Sequence, residues 1–203
     1  FLLYMRHALG ASPLEQGILV FVYFAAGVIG ILIWRAVSDI FGKPRTWSAA
    51  MALACAAFAC VPFLDSGDFY AFMIICIVTG IALGADLALP PSMQADVVEY
   101  EIFLSGQDRV GIMFALWSMV TKLSLGLAAA TALPVLQWTG FDPTSSSPSN
   151  NLIALTTIYS AVPIVLKILA IILVWHHPLT SDRQRIVRHW LNRETKRNGG
   201  NLE

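Results

Sequence analysis

Charge is what this sequence has least of. Asp, Glu, Lys and Arg make up 13% of its 203 residues, where roughly a quarter is usual for a soluble domain. Its 13 basic and 13 acidic residues cancel to a formal net charge of +0. No basic face on a polar domain is present, which excludes nucleic acid as a partner. Cysteine is scarce as well. Cys55, Cys60 and Cys76 all lie inside apolar runs, and no pair has metal-ligand spacing. They read as free thiols in helices, with no metal site. Signatures of enzymes are missing too: there is no GxSxG, no HExxH and no Walker loop. His176 and His177 are neighbours at the exit of an apolar run rather than ligands one turn apart. A signal peptide is also lacking.

What is present is apolar residue in long runs. The chain is 57% hydrophobic, with a mean hydropathy of +0.67. A membrane-spanning helix needs about 20 mostly apolar residues. Ile18–Trp34, Thr46–Leu64, Phe69–Leu89, Gly111–Trp138 and Leu152–Trp175 each supply such a run. Phe1–Leu9, in FLLYMRHALG, reads as the tail end of a further span. The expectation is an all-α membrane protein with five full spans and a partial first one, and a sequence that is a fragment or a processed product.

Lys and Arg near span ends mark the cytoplasmic side. The Arg35–Arg45 connection and the tail from His176 are basic, whereas the Asp65–Asp68 turn and the 139–151 connection have no Lys or Arg. One orientation satisfies all of them: both basic segments inside, both others outside. It also places the acidic segment 92–110 inside. The protein is thus expected to be multi-pass in a plasma (inner) membrane with a cytoplasmic C-terminus. Residues 1–175 would form the bundle and 176–203 a cytoplasmic tail. In that tail SDRQRIVRHWLNRETKR has the pattern of a capped, basic amphipathic helix suited to an anionic leaflet. The terminal Leu202-Glu203 carries no functional reading.

An ionisable residue deep in a span costs about 2.5–3.5 kcal/mol on insertion scales and therefore needs a partner or a polar cavity. Lys122 lies about 18 Å into its span at the helical rise. It shares a face with Ser118, Met119, Leu125 and Gly126, and is expected in a polar cavity or an ion pair. Asp86, in GADLALPP, is a candidate partner for Lys122 or Lys167, or for backbone near the interface. Lys167 is close enough to its span end to snorkel. Pro90-Pro91 is expected to break the third span, and Pro163 to bend the last one. Gly80 with Gly84, and Gly27 with Gly30, form smooth faces on which a neighbouring helix can come close.

Residues 92–111, SMQADVVEYEIFLSGQDRVG, hold Asp96, Glu99, Glu101 and Asp108 with Arg109. ADVVEYE, followed by GQDRVG and ALWSMVTKLSLGLA, resembles the glycoside–pentoside–hexuronide:cation symporter family, the melibiose-permease branch of the major facilitator superfamily. In that family an Ala-Asp-hydrophobic-hydrophobic-Asp-Tyr motif ends the tenth helix. Here Ala95, Asp96, Val97, Val98, Glu99 and Tyr100 stand in it, with Glu for the second Asp. Gly106, Gln107, Arg109 and Gly111 match the following loop, and Lys122 the eleventh-helix lysine. Asp39-Ile-Phe-Gly42-Lys43-Pro-Arg45 is similar to the short cytoplasmic motif of the superfamily. The tenth helix departs from the melibiose-permease pattern in having no Trp and in carrying Asp86 and Pro90-Pro91.

The resemblance implies the C-terminal half, helices seven (partial) to twelve, of a twelve-helix transporter working by alternating access. It implies cation- or proton-coupled symport of a sugar or sugar-like solute, or of a lysolipid or sugar acid. No cofactor is implied; a coupling Na⁺ or H⁺ would be bound mainly by the N-terminal half. The expected partners are the lipid bilayer, that other half and a carbohydrate solute. Lys122, Asp86 and Ser118 would face the substrate cavity. Asp96, Glu99, Tyr100, Arg109, Asp39 and Arg45 would form a cytoplasmic gate, the alternative for the acidic stretch being a solvated loop. In the gate, Asp96 and Glu99 would pair with Arg109 or with basic residues of the other half. An intramembrane enzyme using Asp86, Lys122 and the His pair, and a structural or regulatory subunit docking through the tail, are the competing classes.

Overall fold

The computed structural model describes residues 1–107, 109–138 and 151–175. Asp108, the 139–150 connection and the tail from residue 176 lie outside the described residues, and with them the expected external loop and amphipathic tail helix. The elements are α1 (Leu2–His7), α2 (Pro13–Phe41), α3 (Lys43–Cys60) with a 3-10 turn at Val61–Phe63, α4 (Phe69–Ser105), α5 (Val110–Trp138) and α6 (Asn151–Trp175). The described residues contain helices and no strand. Five of the helices are long and apolar enough to cross a membrane, the number of full spans read from the sequence.

Helix boundaries follow local chemistry. Ser12 caps α2 in a reciprocal capping box with Glu15, and Pro13 occupies the first turn where its missing N–H is harmless. Nothing from Arg35 to Phe41 disfavours a helix, so α2 continues to Gly42, whose φ of 84° ends it. Lys43-Pro44 then starts α3. The expected basic connection Arg35–Arg45 is therefore a single glycine between two helices. The Asp65–Asp68 turn is as expected: Asp68 Oδ2 accepts from the Asp65 N–H at 3.0 Å. The Gly67 N–H donates to the Leu9 carbonyl at 3.2 Å and ties the end of α1 to this turn.

Pro90-Pro91 does not break the third span. Helix α4 runs through both prolines for 37 residues, about 55 Å at 1.5 Å per residue, against a hydrocarbon core of about 30 Å. Each proline withholds an N–H from the carbonyl four residues earlier, here Asp86 and Leu87. Burial of Leu89 and Pro90 among neighbouring side chains offsets this. Leu89, Ala85 and Ala50 form a small core closed by Trp34 and Trp47. The acidic stretch up to Ser105 is therefore a helical extension, not a loop. It ends at Gly106 in the left-handed conformation.

Helix α4 is the central element, and its deepest contact is with α2. A methyl group on Gly30 would lie within 3.0 Å of the Ile81 backbone, one on Gly80 against the Tyr23 carbonyl, and one on Gly84 against Gly27, Gly30 and Ile31. The two glycine faces read from the sequence thus meet each other. The Trp34 indole N–H fixes their register by donating to the Ile81 carbonyl at 2.9 Å. Helix α3 runs antiparallel to α4, and α6 lies against α3. At the α1 end an aromatic cluster joins four elements: Tyr4 stacks on Tyr159 at 4.7 Å, lies 5.4 Å from Phe72, and Phe58 meets Tyr159 edge-on. Helix α5 stands apart from this bundle. None of its described residues is buried, and Leu116, Val120, Leu123 and Leu127 are bare.

Overpacking a close-packed contact costs about 1–3 kcal/mol. Gly84→Ala is expected to lower the thermal unfolding midpoint of the full-length protein in detergent. Gly126→Ala, on α5 with nothing within 4 Å of the added methyl, is expected to leave it unchanged.

Candidate functional site

Among the described residues two ion pairs organise the polar interior. The first joins three membrane-crossing helices. Asp86 on α4 accepts from Lys167 on α6 through Oδ2, at 2.7 Å. It also accepts from the Trp47 indole N–H on α3 through Oδ1, at 2.8 Å. Three helices therefore converge on one carboxylate. Lys167 sits on the protein-facing stripe of α6: Tyr159, Ser160, Pro163, Ile164 and Ile171 are buried or half-buried with it, while Val162, Leu166 and Leu169 are exposed. It pairs inward rather than snorkelling to the interface. The pair is incompletely covered, with 21% of the Lys167 side chain and 31% of the Asp86 side chain exposed.

The second pair lies ten residues further along α4, about 15 Å at the helical rise. Lys43 Nζ at the start of α3 meets Asp96 Oδ2 at 2.5 Å and also donates to the Ser92 carbonyl at 3.2 Å. The Asp96 side chain is 5% exposed and that of Lys43 17%. Lys43 is also the first residue of α3, directly after Gly42. The contact thus pins the α2–α3 corner against the extension of α4.

Of the residues expected at the site, the structure brings Asp86 and Asp96 into ion pairs. Of the two lysines open to Asp86 in the sequence, it takes Lys167 and not Lys122. Asp96 takes Lys43 from within this chain and not Arg109. The Arg109 guanidinium donates instead to Gln107 Oε1 at 3.0 Å through Nε. Glu99 and Tyr100 are half-buried on α4, and Asp39 and Arg45 are exposed beside the α2–α3 corner. None of these four forms an ion pair among the described residues. Lys122 and Ser118 are exposed on α5, so the described helices do not enclose them in a cavity. The start of α5 is linked to α4 through the Gln94 amide and the Met113 carbonyl at 3.5 Å.

Lys43 and Trp47 are the partners the sequence reading missed. A signal for Trp47 was there: it precedes Asp65 by as many residues as Asp86 follows Asp68. Two antiparallel helices of equal rise joined by a tight turn bring such positions level.

Over residues 1–181 the chain matches the family model described as MFS/sugar transport protein. It is similar to the sodium-dependent lysophosphatidylcholine symporter 1 of Gallus gallus, 27% identical over 189 residues, covering 91% of this chain and 35% of the relative. It is similar to the sphingosine-1-phosphate transporter MFSD2B of Xenopus tropicalis, 23% identical, covering 91% and 36%. A third relative is the glucuronide carrier protein homolog of Escherichia coli K12, 22% identical, covering 90% and 40%. The chain therefore spans little more than a third of the length of these relatives.

Removing one member of a buried ion pair leaves the other charge uncompensated, whereas removing both is far milder. Asp86→Asn alone and Lys167→Gln alone are each expected to destabilise the full-length protein by roughly 2 kcal/mol, less than for a fully enclosed pair. The double substitution is expected to recover most of that loss in the same thermal unfolding measurement.

Proposed function

Because the chain belongs to the MFS/sugar transport protein family, we propose that it forms one wall of a secondary transporter and moves solute by alternating access. In this reading residues 1–175 are helices seven (partial) to twelve, with a second six-helix bundle completing the pathway, and 176–203 a cytoplasmic basic tail. The observation that carries it is the junction of Asp86, Trp47 and Lys167 between three membrane-crossing helices. Charges held between spans, with part of their surface left open, are out of place in an inert anchor and suited to a polar pathway.

The solute is a sugar or sugar acid, taken up with Na⁺ or H⁺ bound mainly by the other bundle. A lysolipid is the second reading, favoured by the names of the lysophosphatidylcholine and sphingosine-1-phosphate relatives. The protein sits in a plasma membrane with the Lys43 corner and the C-terminus on the cytoplasmic side. There the Lys43–Asp96 pair is the gate element within this half, joined by Glu99, Tyr100, Asp39, Arg45 and Arg109 across the same surface. Lys122 and Ser118 line the cavity once the other bundle closes against α5.

Two expectations test this. Lys122→Ala in the full-length transporter abolishes solute accumulation in vesicles without loss of membrane expression, since the exposed side chain contributes nothing to packing here. Normal accumulation by that variant would remove Lys122 from the pathway. Lys43→Gln raises cytoplasmic labelling of cysteines introduced inside the bundle severalfold, and a Lys43→Asp/Asp96→Lys exchange brings it back. Unchanged labelling in Lys43→Gln would rule out the gate.

A further inference from the structure

We infer that Lys167 is a binding residue for an anionic oxygen of the solute, a carboxylate or a phosphate, and that Asp86 holds its ammonium in place while the site is empty. The inference rests on the transporter reading above and goes to the chemistry of its solute.

Three observations carry it. The first is asymmetry within the junction. Asp86 has a second hydrogen bond, from the Trp47 indole, so its short side chain remains anchored to α3 when Lys167 leaves. The described structure gives Lys167 no acceptor besides Asp86. It carries three donors on a flexible four-carbon stem. Lys167 is the member free to turn.

The second is exposure. About a fifth of Lys167 and a third of Asp86 remain open, and both sit on protein-facing stripes of membrane-crossing helices. Open charge within a span is tolerated only toward protein or a water-lined cavity. The unused donors of Lys167 are thus available to what enters the cavity.

The third is charge balance. Between the polar ends of the five spans the chain carries Asp86, Lys122 and Lys167. One carboxylate against two ammonium groups leaves this wall one positive charge in excess. A neutral glycoside does not compensate that excess; a carboxylate or phosphate oxygen does. On arrival of such a group Lys167 exchanges one charge-assisted hydrogen bond for another, and Asp86 is left to accept from a solute hydroxyl or ammonium while keeping Trp47.

The test compares matched probes on purified full-length transporter, reading ligand-dependent thermal stabilisation: 4-nitrophenyl β-glucuronide, 4-nitrophenyl β-glucoside, which replaces the carboxylate by a hydroxymethyl group, and lysophosphatidylcholine. The native protein is expected to bind one of the anionic-oxygen probes about tenfold more tightly than the glucoside, the size of one charge-assisted hydrogen bond. Preference for the glucuronide assigns a carboxylate, and preference for the lysolipid a phosphate. Lys167→Gln is expected to abolish the preference. Since that variant leaves Asp86 unpaired and unfolding is a risk, the Asp86→Asn/Lys167→Gln protein is measured beside it. It keeps the fold without the ammonium and is expected to bind the preferred probe and the glucoside alike. An unchanged preference in the double variant overturns the inference and leaves Lys167 a structural partner. Binding of the glucoside alone by the native protein also overturns it, while leaving the transporter reading intact. Failure to bind any of the three overturns it together with the solute classes proposed above.

Discussion

Where Gly27 and Gly30 meet Gly80 and Gly84, two helix backbones approach more closely than any side chain permits. Helices in a bilayer gain nothing from hiding apolar surface from lipid, so their association depends on close van der Waals contact of this kind. The contact consumes the glycine face of α4 and fixes its rotation. The faces that remain carry Asp86 and Asp96 toward α3 and α6. Had α4 been rotated by a quarter turn, Asp86 would have faced lipid, and neither Trp47 nor Lys167 would reach it. The polar organisation of the bundle is in this sense a consequence of Gly30, Gly80 and Gly84, where no side chain fits.

The two ion pairs then do different things. A buried pair is poor evidence for stability, because desolvation offsets most of the attraction. Its value lies in register: a misplaced helix leaves a charge unpaired in hydrocarbon. The Asp86 junction sets the register of α3 and α6 on α4, and the Lys43–Asp96 pair sets the corner between α2 and α3. Helix α5 has no comparable anchor. Its single charge, Lys122, and its bare apolar surface find no partner in the described bundle.

Much of this was legible in the sequence. Five apolar runs gave five spans, and paired glycines marked the two faces that meet in the α2–α4 contact, because both signals are local and periodic. The motif around Ala95–Tyr100 and Lys122 pointed to the family that the match over residues 1–181 then established. Pro90-Pro91 was read by propensity as a break, but Leu89 and Pro90 are buried against neighbouring helices, and packing outweighs two lost backbone bonds. Arg35–Arg45 was read by charge as a loop, though charge does not disfavour a helix and Gly42 alone does. Lys167 was read both as near enough to its span end to snorkel and as a partner for Asp86, and the carboxylate that faces it decides for the second. In the first and third cases a tertiary neighbour, invisible in a linear reading, decided the outcome; in the second the deciding signal was local.

The spacing of these features along α4 has a mechanical consequence. Gly84 lies two residues from Asp86 and twelve from Asp96, about 3 Å and 18 Å at the helical rise. A tilt of about 10° around the glycine contact would shift Asp86 by roughly 0.5 Å and Asp96 by roughly 3 Å. The first shift is within the tolerance of a hydrogen bond; the second exceeds it. Pro90-Pro91 lies between the two acids and removes two backbone bonds there, which lowers the resistance to bending in the same direction. Under such a tilt the Lys43–Asp96 pair would part while the Asp86 junction stayed whole. If the two proposed roles hold, a gate and a binding junction share one helix because the pivot lies close to the second and far from the first.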